Sequence, residues 1–199
     1  MKVTLDRWPG LSPDGKVPTR EFLHCSNLVV RFIDTLGSAF ALVSRDVNGN
    51  IKKVMIKYLQ DTERYKYLQD IVEEDIATKN FAASEALLWL KRGLNFLCTF
   101  LQSIVTDYEE NTEPDTLVTN LRSSYEATIA MYHGFLLRGI FNILLQASPS
   151  RPQLIQRLSV IVNEEDKQLF MSEVKTFYQG LRINLDALYA FYTSRNLFQ

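Results

Sequence analysis

The sequence predicts an all-α fold, and three observations carry that expectation. Apolar residues recur at spacings of three and four through nearly every segment after Thr19. No segment shows the alternation of a half-buried strand. Pro9, Pro13 and Pro18, with Gly10 and Gly15, mark residues 1–18 as an irregular lead-in, which leaves residues 19–199 to form one domain.

Thr19, followed by Arg20 and Glu21, is the expected N-cap of a first helix running to Leu36. Phe22, Val29, Phe32, Ile33 and Leu36 form its inner face, and Gly37-Ser38 ends it. A second helix is expected from about Phe40 to Tyr58, with Val43, Val47, Ile51, Val54 and Tyr58 as a continuous stripe. That stripe passes through Asn48-Gly49, a pair that ordinarily signals a hairpin. Alternating apolar flanks are missing, and a mid-helix glycine costs only up to ~1 kcal/mol, which packing of the stripe can offset. A third helix over 64–78 turns Tyr65, Leu68, Ile71 and Val72 inward. The fourth, from Ser84 to about Ile104, is apolar nearly all round and should be central. After the polar loop "TDYEENTEPDT", Pro114-Asp115 should open a long fifth helix that reaches Gln146 and stops at Ser148-Pro149. A short helix over 151–161, the segment "NEEDK" and one or two helices to about Arg195 complete the chain.

Composition narrows the function. The hydrophobic (46%) and charged (23%) fractions are those of a soluble globular protein, and a chain of this length buries roughly 70% of its unfolded surface. A net charge of −1 supplies no basic field for nucleic acid. Cys25 and Cys98 have no metal-ligand spacing and read as buried free thiols of a reducing compartment, so no metal or cofactor is expected. The N-terminus lacks a secretory apolar stretch, and no run approaches the ~18 apolar residues of a membrane span. A cytoplasmic protein is expected.

Asp46, Asn50 and Lys53 lie within a wedge of roughly 60° on the second helix, about 100° from its apolar stripe. A carboxylate, an amide and an ammonium along one edge can satisfy several hydroxyls, although a solvated helix face has the same spacing. Trp89, Lys91 and Arg92 interrupt the apolar fourth helix in "EALLWLKRGLNFLCTFL". A tryptophan there is either core filler or a platform whose π face stacks on a sugar ring. His133, in "MYHGFLLRGIFNILL", is either a satisfied core histidine or a site residue; His24 receives no role.

Taken together, "DVNGNIKK", "LLWLKRGL" and "YHG", in this order and at these separations, resemble the glycolipid transfer protein family over about Phe22 to Tyr192. The resemblance implies a two-layer sandwich of about eight helices enclosing a lipid pocket, and transfer of a sphingolipid between membranes without chemistry. It implies that Asp46, Asn50 and Lys53 bind sugar hydroxyls and that Trp89 lies under the first sugar. Asp46 and His133 would read the ceramide amide, with Arg92 supporting the site. Phe40, Phe96, Phe100, Leu136, Ile140, Phe141, Leu154 and Phe177 would line the hydrocarbon tunnel. Phe135 stands where the family often has tryptophan at the membrane-facing tip, and Arg138 nearby would favour an anionic surface. The sequence stops at "TSRNLFQ", without the tail that in some members brings a tyrosine to the amide site.

The expected partners are a glycosphingolipid and, transiently, a membrane surface, with the chain acting as a monomer. Trp89 favours a sugar headgroup over ceramide-1-phosphate, whose carriers replace that tryptophan with a basic residue. Lys53, Lys91 and Arg92 keep the phosphate alternative open. A chain with little beyond this domain is expected to be a stand-alone carrier, with a glycolipid-sensing module as the alternative. An enzyme using Asp46 and His133 as an acid–base pair is disfavoured, because no nucleophile elbow, metal set or second carboxylate accompanies them.

Overall fold

The computed structural model describes residues 6–158 and 164–197. Among these lie eight α-helices: α1 (Thr19–Thr35), α2 (Ala41–Tyr58), α3 (Leu68–Thr78), α4 (Ala82–Glu109), α5 (Val118–Thr128), α6 (Phe135–Gln146), α7 (Arg151–Leu158) and α8 (Glu164–Ser194). They stack in two layers. The far end of the helix expected over 151–161 and Asn163 of the "NEEDK" segment lie outside the described residues, as do Phe198 and Gln199.

The central position expected of α4 follows from its composition. Its buried face includes Leu87, Leu90, Leu94, Cys98 and Leu101, and it packs on α8, α2, α5 and α3. The helix α8 runs antiparallel to it: Arg182 donates to Asn95 at 2.7 Å, and the Cys98 thiol to the Tyr178 carbonyl at 3.3 Å. Both cysteines are free and buried.

α2 continues unbroken through Asn48-Gly49, with Ile51 and Val54 buried and Val43, Val47 and Tyr58 packed on the core. A Cβ added at Gly49 would meet open space. Gly49→Ala is therefore expected to stabilise the protein by about 0.5–1 kcal/mol, read as a higher urea midpoint.

Several boundaries differ from expectation. Pro18, not Thr19, precedes α1, and no side chain caps it. The Thr19 hydroxyl instead donates to the Tyr65 carbonyl at 2.8 Å, beside an isolated antiparallel bridge between Pro18 and Tyr67. Residues 64–67 are drawn into that contact, so α3 starts at Leu68. The lead-in is irregular but structural: Trp8 is buried with its ring 5.2 Å from Phe22 and 5.6 Å from Phe177. α4 extends beyond Ile104 to Glu109, and the residues after "NEEDK" form one continuous helix to Ser194.

The largest departure is the expected long fifth helix. Pro114-Asp115 does not open it, and the segment is two helices, α5 and α6, separated by a 3₁₀ turn (Ala130–Tyr132) and the extended pair His133-Gly134. Buried Arg151 explains the late start of α5. It donates to the Pro114 carbonyl at 2.8 Å, pairs with Asp107 and bonds Asn120, holding the preceding loop against α4.

Candidate functional site

The continuity of α2 keeps its polar row on one face. Asn50 is only 8% exposed and donates to the Asp46 carboxylate at 3.5 Å, a long bond that leaves the carboxylate most of its acceptor capacity. Asp46 and Lys53 are exposed, with Lys53 extending the row into solvent.

On α4, Trp89 is 38% exposed and so is not core filler. The Arg92 guanidinium carbon lies 4.9 Å from the centre of the Trp89 ring and 3.5 Å from that of Tyr132, a cation held against two aromatic faces. Lys91 points the other way, its ammonium 4.7 Å and 5.1 Å from the ring centres of Tyr189 and Tyr192 on α8. Burial first, and the charge of Arg92 second, bring the Lys91 pKa down to about 8.

The break between α5 and α6 places the histidine. His133 and Gly134 are extended, so the imidazole leaves the helix direction and lies 6.3 Å from the Trp89 ring at an interplanar angle of 25°. Its Nδ1 is 3.0 Å from the Tyr125 hydroxyl. Burial lowers the His133 pKa below its ordinary 6.5, the Asp46 carboxylate opposes that shift, and Arg138 adds to it. Arg138, expected as a membrane contact, is engaged as a brace: it donates to the carbonyls of His133 at 2.9 Å and Ala130 at 3.0 Å. Phe135, the first residue of α6, is 93% exposed.

Three segments, α2, α4 and the α5–α6 connection, thus bring Asp46, Asn50, Trp89, Arg92 and His133 together. An aromatic run leads inward from them. The ring of Tyr125 stacks on Phe141 at 3.6 Å, Phe141 meets Phe96 edge-on at 6.2 Å, and Phe96 stacks on Phe100 at 6.4 Å. Phe100, Leu154 and Phe177 are buried, while Phe40, Phe96, Ile140 and Phe141 are half-buried. Leu136 is a correction. It is 74% exposed, beside the 93% exposed Phe135 in the first turn of α6, and does not line the interior.

Beyond the aromatic run lies an apolar cavity of about 30 Å³, bounded by Phe32 of α1, Leu97 and Leu101 of α4, Leu158 of α7, and Val174 and Phe177 of α8. Apolar walls with nothing rigid between them close to interior density.

Two further residues, Tyr125 and Tyr132, belong to the site and were not expected there. Tyr125 precedes His133 by eight residues, a spacing that would not pair them on one straight helix. Only the 3₁₀ turn and the extended pair fold the histidine back onto the tyrosine.

Residues 17–160 match the family model for glycolipid transfer proteins. The chain belongs to the glycolipid transfer protein family. The glycolipid transfer protein of Danio rerio is 33% identical over 192 residues, covering 94% of this family member and 91% of the zebrafish protein. Human pleckstrin homology domain-containing family A member 8 is 40% identical over 165 residues, 80% of this chain but 31% of that longer protein. Among solved structures, FAPP2, which selects simple glycosphingolipids using the GLTP fold, superposes with a TM-score of 0.88 at 31% identity, covering 96% of this chain and 92% of that one. Mouse ceramide-1-phosphate transfer protein shares the fold, with a TM-score of 0.84 at 22% identity and coverage of 95% and 93%. The fold is therefore that of all-α lipid transfer proteins, and the headgroup has to be argued from the site. No helix among the described residues is long and apolar enough to cross a membrane.

Proposed function

We propose that this family member carries glycosphingolipids such as galactosyl-, glucosyl- or lactosylceramide between membranes without altering them chemically. The observation that supports this most is the half-open indole of Trp89 beside His133, at the head of the aromatic run and within reach of the Asp46 field. A flat ring at a mouth suits the CH face of a sugar. In this reading Asp46, Asn50 and Lys53 take the sugar hydroxyls, and Asp46 also accepts from the ceramide amide N–H. His133 donates to the amide carbonyl, and Arg92 supports the sugar from beside Trp89. Residues 19–199 act as one monomeric domain, with Trp8 of the lead-in packed into it.

The tails supply the energetic reason for a closed carrier. Exposing ~15 methylenes to water costs on the order of 12 kcal/mol, so the cavity walls have to part around the chain as it leaves the bilayer. Because aliphatic contacts are unspecific, selection falls to the mouth, where a missing hydroxyl or amide leaves buried groups unpaired. Met131, Phe135, Leu136 and Ile143 are exposed around the same opening and would enter the bilayer interface from the cytoplasmic side.

Competition between galactosylceramide and ceramide-1-phosphate in phosphatidylcholine vesicles tests the reading. The sugar lipid is expected to win by about tenfold or more. Preference for the phosphate would move the protein to the other branch. Binding without faster departure from donor vesicles would make it a sensor, and cleaved lipid in the mass spectrum would make it an enzyme.

A further inference from the structure

We infer that Tyr125 is a positioning residue for lipid recognition: its hydroxyl donates to Nδ1 of His133, which fixes the imidazole proton on Nε2 and aims that N–H at the lipid amide. The inference rests on the proposed glycolipid reading and extends it to a residue that acts through His133.

A neutral imidazole has one N–H and one lone pair, and its tautomer is set by whatever bonds the other nitrogen. Here that partner is the Tyr125 hydroxyl, 3.0 Å from Nδ1. Burial raises the Tyr125 pKa above its ordinary value, so the phenol keeps the proton it needs to donate. The Tyr125 ring cannot swing away, because it stacks on Phe141 at 3.6 Å. On the histidine side, Arg138 holds the His133 carbonyl and the turn before it. The Asp46 carboxylate acts on the ring from α2, and an acceptor there favours an N–H edge over a lone pair. Every charged group acting on the ring is thus compatible with Nε2–H. The opposite tautomer would turn a lone pair towards a carbonyl oxygen, which cannot donate, and would lose the amide contact. Tyr125 thereby converts an ambiguous ring into a donor of one sense before lipid arrives.

The test uses Tyr125→Phe, which keeps the ring on Phe141 and removes only the hydroxyl. Histidine labelled with ¹³C and ¹⁵N reports the tautomer in the lipid-free protein, with His24→Gln to assign the two signals. The unmodified protein is expected to hold His133 as the Nε2–H tautomer, and Tyr125→Phe to show a mixture. Galactosylceramide affinity should fall roughly five- to tenfold, the scale of one misplaced hydrogen bond. An Nδ1–H tautomer in the unmodified protein, or an unchanged tautomer and affinity in Tyr125→Phe, would overturn the inference. His133→Ala separates this from the parent reading. If that variant binds galactosylceramide normally, the amide assignment fails, whereas the tautomer measurement still decides what Tyr125 does to the ring.

Discussion

Asp46→Val is expected to lower galactosylceramide transfer by more than a hundredfold while leaving the helical circular dichroism signal unchanged. The position is exposed on α2, so the substitution removes no core packing, and its effect on stability should stay within about 0.5 kcal/mol. The functional loss is large because one carboxylate has two partners in the proposed complex, a sugar hydroxyl and the ceramide amide N–H. Hydrogen bonds to a charged group contribute about 1.5–3 kcal/mol each, and losing two exceeds the ~2.8 kcal/mol that corresponds to a hundredfold. Valine also leaves the amide of Asn50 without its acceptor at 3.5 Å and removes the one influence that raises the His133 pKa. No neighbouring charge replaces that carboxylate, since Lys53 and Arg92 carry only donors and Asn50 offers a neutral amide oxygen. A fluorescence assay of transfer between vesicles reads the rate. A rate within threefold of the unmodified protein would remove Asp46 from the site and, with it, the reason for reading the α2 row as anything but a solvated face.

The elements that were legible are those whose signal is periodic. The stripe from Val43 to Tyr58 outweighed the Asn-Gly pair, and α2 is continuous; the all-round apolarity of residues 87–101 placed α4 at the centre. What escaped were features that depend on partners distant in sequence. Residues 64–67 continue the spacing of α3 through Tyr65 but are held by Val17 and Thr19, partners that α1 and α2 separate from them in sequence. Apolar residues at helical spacing run on through residues 118–146, and Gly134 is a weak local hint that His133 and Gly134 are extended. The site shows the same division. Asp46, Asn50, Trp89 and His133 were chosen through motif resemblance, whereas Tyr125 becomes a neighbour of His133 only because of that break. Leu136 came through the resemblance as well, and burial alone sets it apart from the other seven pocket residues: it is 74% exposed.

Asp75→Ala carries the largest expected cost to folding, about 3–5 kcal/mol, and its cause lies in how α4 begins. Phe81 precedes the helix and supplies no side-chain cap. The cap comes from α3: the Asp75 carboxylate accepts from the backbone N–H of Ala83 at 3.1 Å and of Ser84 at 2.8 Å, and from the Ser84 hydroxyl at 3.0 Å. Asp75 is 1% exposed, so its desolvation is offset by those three donors, by the positive end of the α4 dipole and by Lys57 at 3.6 Å. Alanine leaves the donors and a half-buried ammonium without their acceptor in a place water does not reach. Asp75→Asn keeps an acceptor oxygen without the charge and should lose roughly half as much. Urea unfolding at constant m-value measures both. The loss should also reach the mouth, because Trp89 follows Ser84 by little more than a turn, and Tyr192 of α8 donates to the Ser84 carbonyl at 2.8 Å. Loosening that first turn lets the indole drift, so galactosylceramide affinity should fall in Asp75→Ala even under conditions where the protein remains folded. A stability change below about 1 kcal/mol would mean that the donors at the start of α4 find other acceptors, and that the platform is held by the packing of α4 on its neighbouring helices.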